Sequence, residues 1–203
     1  MKIYLIRHGE SISDIEDRYG GDYDDSLTEK GISQVRILAD KLKDKEIEIM
    51  FHSPKKRAAE TAHIVGQSLK VKLKLIENLR ERNNYGILTG LTKSEAKQKY
   101  PEEVEKLEKE CIDHTVKNSE NYKNFKKRIL DVFNKITNDY AYSTIGIVTH
   151  GGPIKCIVRE ILHLGELKKL VDCAFLEIDY NQKDYTIRRV DGVEFKNEAY
   201  SSR

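Results

Sequence analysis

Cysteine is scarce in this chain, and what there is builds no framework. Cys111, Cys156 and Cys173 are odd in number and lack the paired spacing of a metal site. A disulfide scaffold is thereby excluded, and a reducing, cytoplasmic setting is expected. Cys111 and His114 resemble half of a zinc set, but the sequence offers no second half, so no metal is expected. Long apolar runs are missing too. None approaches the ~20 residues that span a bilayer, and the opening MKIYLIRHGE lacks the long apolar segment and small-residue cleavage site of a signal peptide. Charge of one sign is also lacking: 36 Lys and Arg against 34 Asp and Glu leave a formal +2. That is too little to argue for a nucleic acid or a membrane surface as partner, so any affinity for anions must come from a local site. No internal repeat or low-complexity linker divides the 203 residues, and one domain over 1–203 with one core is expected.

Strand-like and helical segments alternate, which is the order of an α/β fold with a largely parallel sheet. IYLI at 3–6 reads as a buried strand. SLTEKGISQVRILADKLKD reads as a helix capped by Thr28, with Ile32, Val35, Leu38, Ala39 and Leu42 on one face. IEIMF is a second strand. A helix is expected to begin near SPKKRAAETAHIVGQSL, with Ser53 as cap and Pro54 in its first turn. VKLKLIE is a third strand, and the polar NLRERNNYGILTG suits a site loop. Residues 92–110 read as two helical pieces broken at Pro101. Tyr122, Phe125, Ile129, Val132, Phe133 and Ile136 mark one face of a long amphipathic helix. TIGIVTHGGPIKCIVREIL repeats the logic of the first unit: buried strand, His150, glycine turn, Pro153 at a helix start. CAFLEIDY and YTIRRV close the chain as an antiparallel pair.

Two strand ends thus each present a histidine beside a glycine, and a helix start presents an arginine. Gly9 allows a sharp turn and close approach of the backbone to a ligand. Arg7 and His8 then stand at the carboxyl end of a strand, where α/β sheets place their ligands. Arginines offer forked donors suited to phosphate oxygens, and the helix opening at Gly151 offers free N–H groups. A neutral histidine in such a cationic pocket can attack phosphorus.

The segments RHGES, RYGGDYDDSLTEKG, SPKKRAAETA, LRERNNYGILTGL and VTHGG together resemble the histidine phosphatase superfamily, which includes cofactor-dependent phosphoglycerate mutases and many phosphomonoesterases. The resemblance covers nearly the whole chain. It implies a three-layer α/β/α sandwich of phosphoglycerate mutase type, with a mainly parallel central sheet and an inserted helical cap near 91–121. It implies His8 as the nucleophile that becomes phosphohistidine, with Arg7, Arg57 and His150 holding the phosphoryl oxygens, helped by backbone donors near Gly9 and Gly151. Gly21 falls in the matching phosphate-binding segment. Glu81 matches the acid that protonates the leaving oxygen and then activates the acceptor, and Tyr85 and Lys93 match positions that contact phosphoglycerate in mutases. No metal is implied, and the partner is a small phosphorylated metabolite.

Several positions depart from the pattern. Asp14 stands where an asparagine is usual, and would repel a phosphoryl group unless protonated, turned away or paired, with Arg18 as one partner. Asp22 and His52 read as surface substitutions. Lys109 and Glu110 fall where mutases carry an arginine pair for the substrate carboxylate, a charge that Arg80, Arg82 or Lys117 could instead supply, and Gly152 replaces a usual asparagine. The mutase-like stretch after Glu81 tips the reading narrowly toward interconversion of 3- and 2-phosphoglycerate, primed by 2,3-bisphosphoglycerate. The alternative is a phosphatase of small phosphorylated metabolites. A third reading, a catalytically silent phosphate-binding protein, is disfavoured because His8, Arg7, Arg57, Glu81 and His150 are all retained.

Overall fold

The computed structural model describes residues 1–109 and 115–196. In chain order its elements are β1 (Lys2–Arg7), α1 (Ile12–Ile15), α2 (Glu29–Leu42), β2 (Ile49–His52), α3 (Lys56–Leu69), β3 (Lys72–Leu75), α4 (Lys93–Lys99), α5 (Pro101–Lys109), α6 (Tyr122–Asp139), β4 (Thr144–Thr149), α7 (Gly151–Glu160), β5 (Leu167–Tyr180) and β6 (Tyr185–Phe195). The six strands form one sheet in the order β3-β2-β4-β1-β5-β6. The first four in that order run parallel, whereas β5 and β6 are antiparallel to their neighbours.

The sheet is covered on both faces, which is why β1, β2 and β4 carry near-continuous apolar residues rather than alternation. On one side Tyr4, Ile6, Met50 and Val148 pack with Val35, Leu38 and Leu42 of α2 and Ala58, Ala62 and Val65 of α3. On the other, Ile3, Leu5, Phe51 and Ile147 pack with Phe125, Ile129 and Phe133 of α6 and Ile154 and Ile157 of α7. A separate apolar cluster of Tyr19, Leu88, Ala96, Val104 and Val116 holds α4 and α5 against the rest.

Local chemistry accounts for most element boundaries. Thr28 caps α2, its hydroxyl accepting from Gly31 N at 2.9 Å, and Pro101 opens α5 where its missing N–H is not needed. Some elements differ from the sequence reading, and β6 runs on to Phe195, past the expected YTIRRV. Helix α3 begins at Lys56, with Lys55 rather than Ser53 in the cap position, because Ser53 is used elsewhere. Strand β5 begins at Leu167, ahead of the apolar stretch CAFLEIDY, since pairing with β6 extends past a bulge at which Cys173 has φ 56°. The short α1 carries no periodic signal, yet it forms because Ser11 and Asp14 cap it reciprocally.

Candidate active site

Strand register brings the site together. Arg7 of β1 pairs with Thr149 of β4, so His8 and His150 each lie one residue beyond paired positions, with ring centroids 5.0 Å apart. His52 pairs with Val148, which puts Ser53 level with Thr149, within side-chain reach of His150. His8 is 5% exposed and His150 fully buried.

The His8 ring is oriented by its own loop. Its Nδ1 lies 2.7 Å from the Gly9 carbonyl, which can only accept, so Nδ1 carries the proton and Nε2 keeps the lone pair. Arg57 Nε donates to that Nε2 at 3.2 Å. Burial, reinforced by the positive charge of Arg57 and Arg7, holds the His8 pKa well below the usual histidine value. The imidazole is therefore neutral near pH 7, as a nucleophile must be.

Arg57 is buried and held on several sides. Nη1 donates to the Tyr23 carbonyl at 2.6 Å and to Asp25 Oδ1 at 2.7 Å, and Nη2 donates to the Gly21 carbonyl at 3.0 Å. Burial opposes the Asp25 charge, but the Ser13 N–H and Arg57 hold its pKa below the ordinary range. Gly21 has φ 46°, a conformation that favours glycine, and this turns its carbonyl toward Arg57. Arg7 is anchored by the β5 segment: Nη1 donates to the Leu170 carbonyl at 2.6 Å and Nη2 lies 3.2 Å from Asp172. Its Nε is buried without a partner among the described residues, a donor left for a ligand.

His150 is set by Ser53, whose hydroxyl lies 2.7 Å from Nε2 and also accepts from Lys55 N at 3.2 Å. The other ring nitrogen, Nδ1, is buried without a partner among the described residues. With the Ser53 hydroxyl donating to Nε2, Nδ1 carries a proton and is a donor for a phosphoryl oxygen. Burial and the nearby Arg57 lower the His150 pKa well below normal.

Glu81 closes the site from the loop after β3. Its carboxylate accepts from Gly152 N at 2.9 Å and Arg82 N at 2.7 Å. Burial nonetheless raises its pKa, against the opposing pull of these N–H groups, Arg57 and Arg7. Gly152 is required for this placement, because a Cβ there would overlap Glu81 Oε1.

Arg7, Gly21, Glu81, Tyr85, Gly151 and Gly152 line one cleft of about 410 Å³ at the carboxyl ends of β1 and β4. Lys93 is not among its lining residues. Its ammonium lies 3.6 Å from the Tyr19 ring centroid, a cation–π contact, and 5.9 Å from that of Tyr85. At Gly9 the N–H donates to Thr61 Oγ1 at 3.2 Å, and a Cβ would press on the Gly31 carbonyl of α2. Asp14 is turned back on Ser11, accepting from its N–H at 2.9 Å and its hydroxyl at 2.8 Å, while Arg18 pairs with Glu16 and Glu95. His52 is buried, not a surface residue, and Asp22 pairs with Lys55 at 2.9 Å. Glu110, Cys111, His114 and the side chain of Lys109 lie outside the described residues.

Asp25, Ser53 and Thr61 escaped sequence reasoning. Asp25 is one of several acids in RYGGDYDDSL, and spacing alone does not single it out. Thr61 had a readable signal, standing four residues after Arg57 on one helix face, where its hydroxyl donates to the Arg57 carbonyl.

A family model described as the histidine phosphatase superfamily (branch 1) matches residues 3–191. A 2,3-bisphosphoglycerate-dependent phosphoglycerate mutase of Bartonella tribocorum is 31% identical over 166 residues, covering 78% of this chain and 80% of the mutase. An uncharacterised phosphatase of Bacillus subtilis is 26% identical over 189 residues, covering 92% of both chains. Among solved structures, the α-ribazole phosphatase of Shigella flexneri superposes with a TM-score of 0.82 at 24% identity, covering 98% of this chain and 100% of that one, a likeness of fold.

Proposed function

The chain belongs to the histidine phosphatase superfamily, and from that premise we propose that it hydrolyses small phosphomonoesters through a phosphohistidine at His8. The observation that carries this reading is the His8 imidazole, buried, neutral and fixed by Gly9 so that its Nε2 lone pair faces Arg57.

In the first step the Nε2 lone pair attacks phosphorus and the bond to the leaving oxygen breaks. The Glu81 carboxyl gives its proton to that oxygen, releasing a neutral alcohol. Arg7, Arg57 and His150 donate to the phosphoryl oxygens as charge gathers on them; preorganised donors of this kind are each worth ~3–4 kcal/mol. In the second step Glu81, now a carboxylate, takes a proton from water. The oxygen attacks phosphorus, and the bond to Nε2 breaks, returning neutral His8 and inorganic phosphate. No step calls for a metal, because the guanidinium groups supply the positive charge.

Phosphoglycerate mutase activity is the second reading, supported by Tyr85 in the cleft wall. The position of Lys93 over Tyr19 favours the phosphatase, since it withholds one of the cations a mutase would use for phosphoglycerate. In the mutase reading, 2,3-bisphosphoglycerate would prime His8. Phosphorus NMR with 3-phosphoglycerate and a trace of 2,3-bisphosphoglycerate separates the two. Inorganic phosphate is expected; accumulation of 2-phosphoglycerate with little phosphate would overturn the hydrolase in favour of the mutase.

A further inference from the structure

Beyond its phosphoryl end the cleft runs toward α6, α7 and the start of β5, and cations crowd its wall. Arg7, Arg82, Lys155, Arg159, Lys168 and Lys169 line it, against Glu81 as the one lining carboxylate among the described residues. Most of these cations are answered by acids. Arg7 has Asp172 at 3.2 Å, Arg159 has Glu160 at 3.0 Å and also Glu166, and Lys168 and Lys169 share Glu194 at 3.7 and 3.6 Å.

Arg82 and Lys155 are not answered. Arg82 Nε donates to the Glu120 backbone carbonyl at 3.0 Å, and its guanidinium packs 5.6 Å from the Tyr122 ring centroid and 5.9 Å from that of Phe125. The nearby Glu120 carboxylate is engaged by Arg128 at 2.6 Å, and that of Glu81 by backbone N–H groups. The terminal nitrogens of Arg82 are thus left without a carboxylate among the described residues, although the side chain is partly buried. Lys155, on the exposed side of α7, likewise has no carboxylate among them. A partly buried guanidinium without an acid, as at Arg82, is costly to keep. With the exposed Lys155 on the same cleft wall, the two form a site for an anion from outside.

We propose that Arg82 and Lys155 bind a second anionic group on the substrate, so that the preferred substrates are phosphomonoesters of an alcohol that itself carries a carboxylate or another phosphate. This rests on the phosphomonoester reading of the same cleft and names the class of leaving group. Arg82 follows Glu81 directly in the chain and lines the same cleft, so an anionic group held there would keep the ester oxygen within reach of the Glu81 proton.

The test is binding, read by calorimetry in a His8→Ala background that cannot be phosphorylated at this residue. Two matched pairs serve as probes. 3-Phosphoglycerate and glycerol 3-phosphate differ by a carboxylate against a hydroxymethyl group; fructose 1,6-bisphosphate and fructose 6-phosphate differ by one phosphate. At least one pair is expected to show a preference of tenfold or more for the doubly anionic member. Adding Lys155→Gln or Arg82→Gln is expected to shrink that ratio about fivefold each, whereas Arg82→Lys retains most of it. Lys155→Gln lies on an exposed helix face and keeps the test free of folding defects. Equal affinity within both pairs, or a ratio indifferent to both Gln substitutions, would overturn the proposal. Absence of phosphohistidine in the wild-type protein would instead count against the function proposed above, and leaves this binding ratio readable.

Discussion

Glu81 has two jobs that leave separable traces. As the acid of the first step it must be protonated, and its pKa is raised by burial. With an alkyl phosphate, kcat/KM is expected to fall as pH rises through that elevated pKa. With p-nitrophenyl phosphate, whose leaving group needs no proton, this limb is expected to vanish. Glu81→Gln should accordingly cost ~10²–10³-fold with the alkyl ester and far less with the nitrophenyl ester; equal losses on both would contradict the acid role. Ser53 acts through His150. Ser53→Ala removes a buried hydrogen bond of ~1.5 kcal/mol, or roughly tenfold in kcat/KM. Nitrogen NMR of the His150 ring should show the Nδ1–H form losing its dominance, and a ring unchanged in tautomer would show that Ser53 serves packing alone. Gly152 was legible only as a departure from the mutase pattern. The structure supplies the reason, since a side chain there would displace the carboxylate that Gly152 N–H holds.

At the scale of elements, the in-register parallel pairing of β1 with β4 sets the nucleophile beside its partner histidine. The cap of α2 fixes the loop that follows β1: Thr28 accepts from Gly31 N and donates to Glu10 at 2.8 Å. Thr28→Ala is expected to cost ~1 kcal/mol and to lower Tm by about 2–4 °C; an unchanged melting curve would show that this cap is dispensable. Helix faces were readable because their burial follows a 3.6-residue period, and the six residues named on α6 line its inner face. The strands were readable as apolar runs. The true start of α3 was not, because Ser53 is an ordinary cap residue by sequence and its diversion to His150 is a contact between β2 and β4 ends. The extension of β5 to Leu167 was hidden for a similar reason: LKKLVD has no alternation, and only pairing with β6 makes it a strand.

For the molecule as a whole, a cationic cleft with buried histidines has a thermodynamic consequence. Burial depresses the pKa values of His8, His150 and His52. Below the ordinary histidine value the unfolded chain therefore binds protons that the native state refuses, so stability is expected to fall as pH drops from about 6.5, by up to ~1.4 kcal/mol per pH unit for each group. Glu81 works with the opposite sign, its raised pKa giving stability below the usual carboxyl range that is lost as pH rises through the elevated value. The three histidines outweigh it. Urea midpoints at pH 7.5, 6.5 and 5.5 should decline in that order, and a flat series would contradict neutral burial of these rings. The sequence carried the sheet class, the two histidine-bearing strand ends and the order of the motifs. It did not carry the direction of Lys93 or Arg82, which depends on aromatic partners distant in the chain. The central claim is tested most directly by mixing the protein with a phosphomonoester, quenching in base within milliseconds and locating the phosphoryl group by mass spectrometry. A phosphohistidine at His8 that decays as inorganic phosphate appears is the predicted result; turnover with no phosphoenzyme, or with the label on another residue, would contradict it.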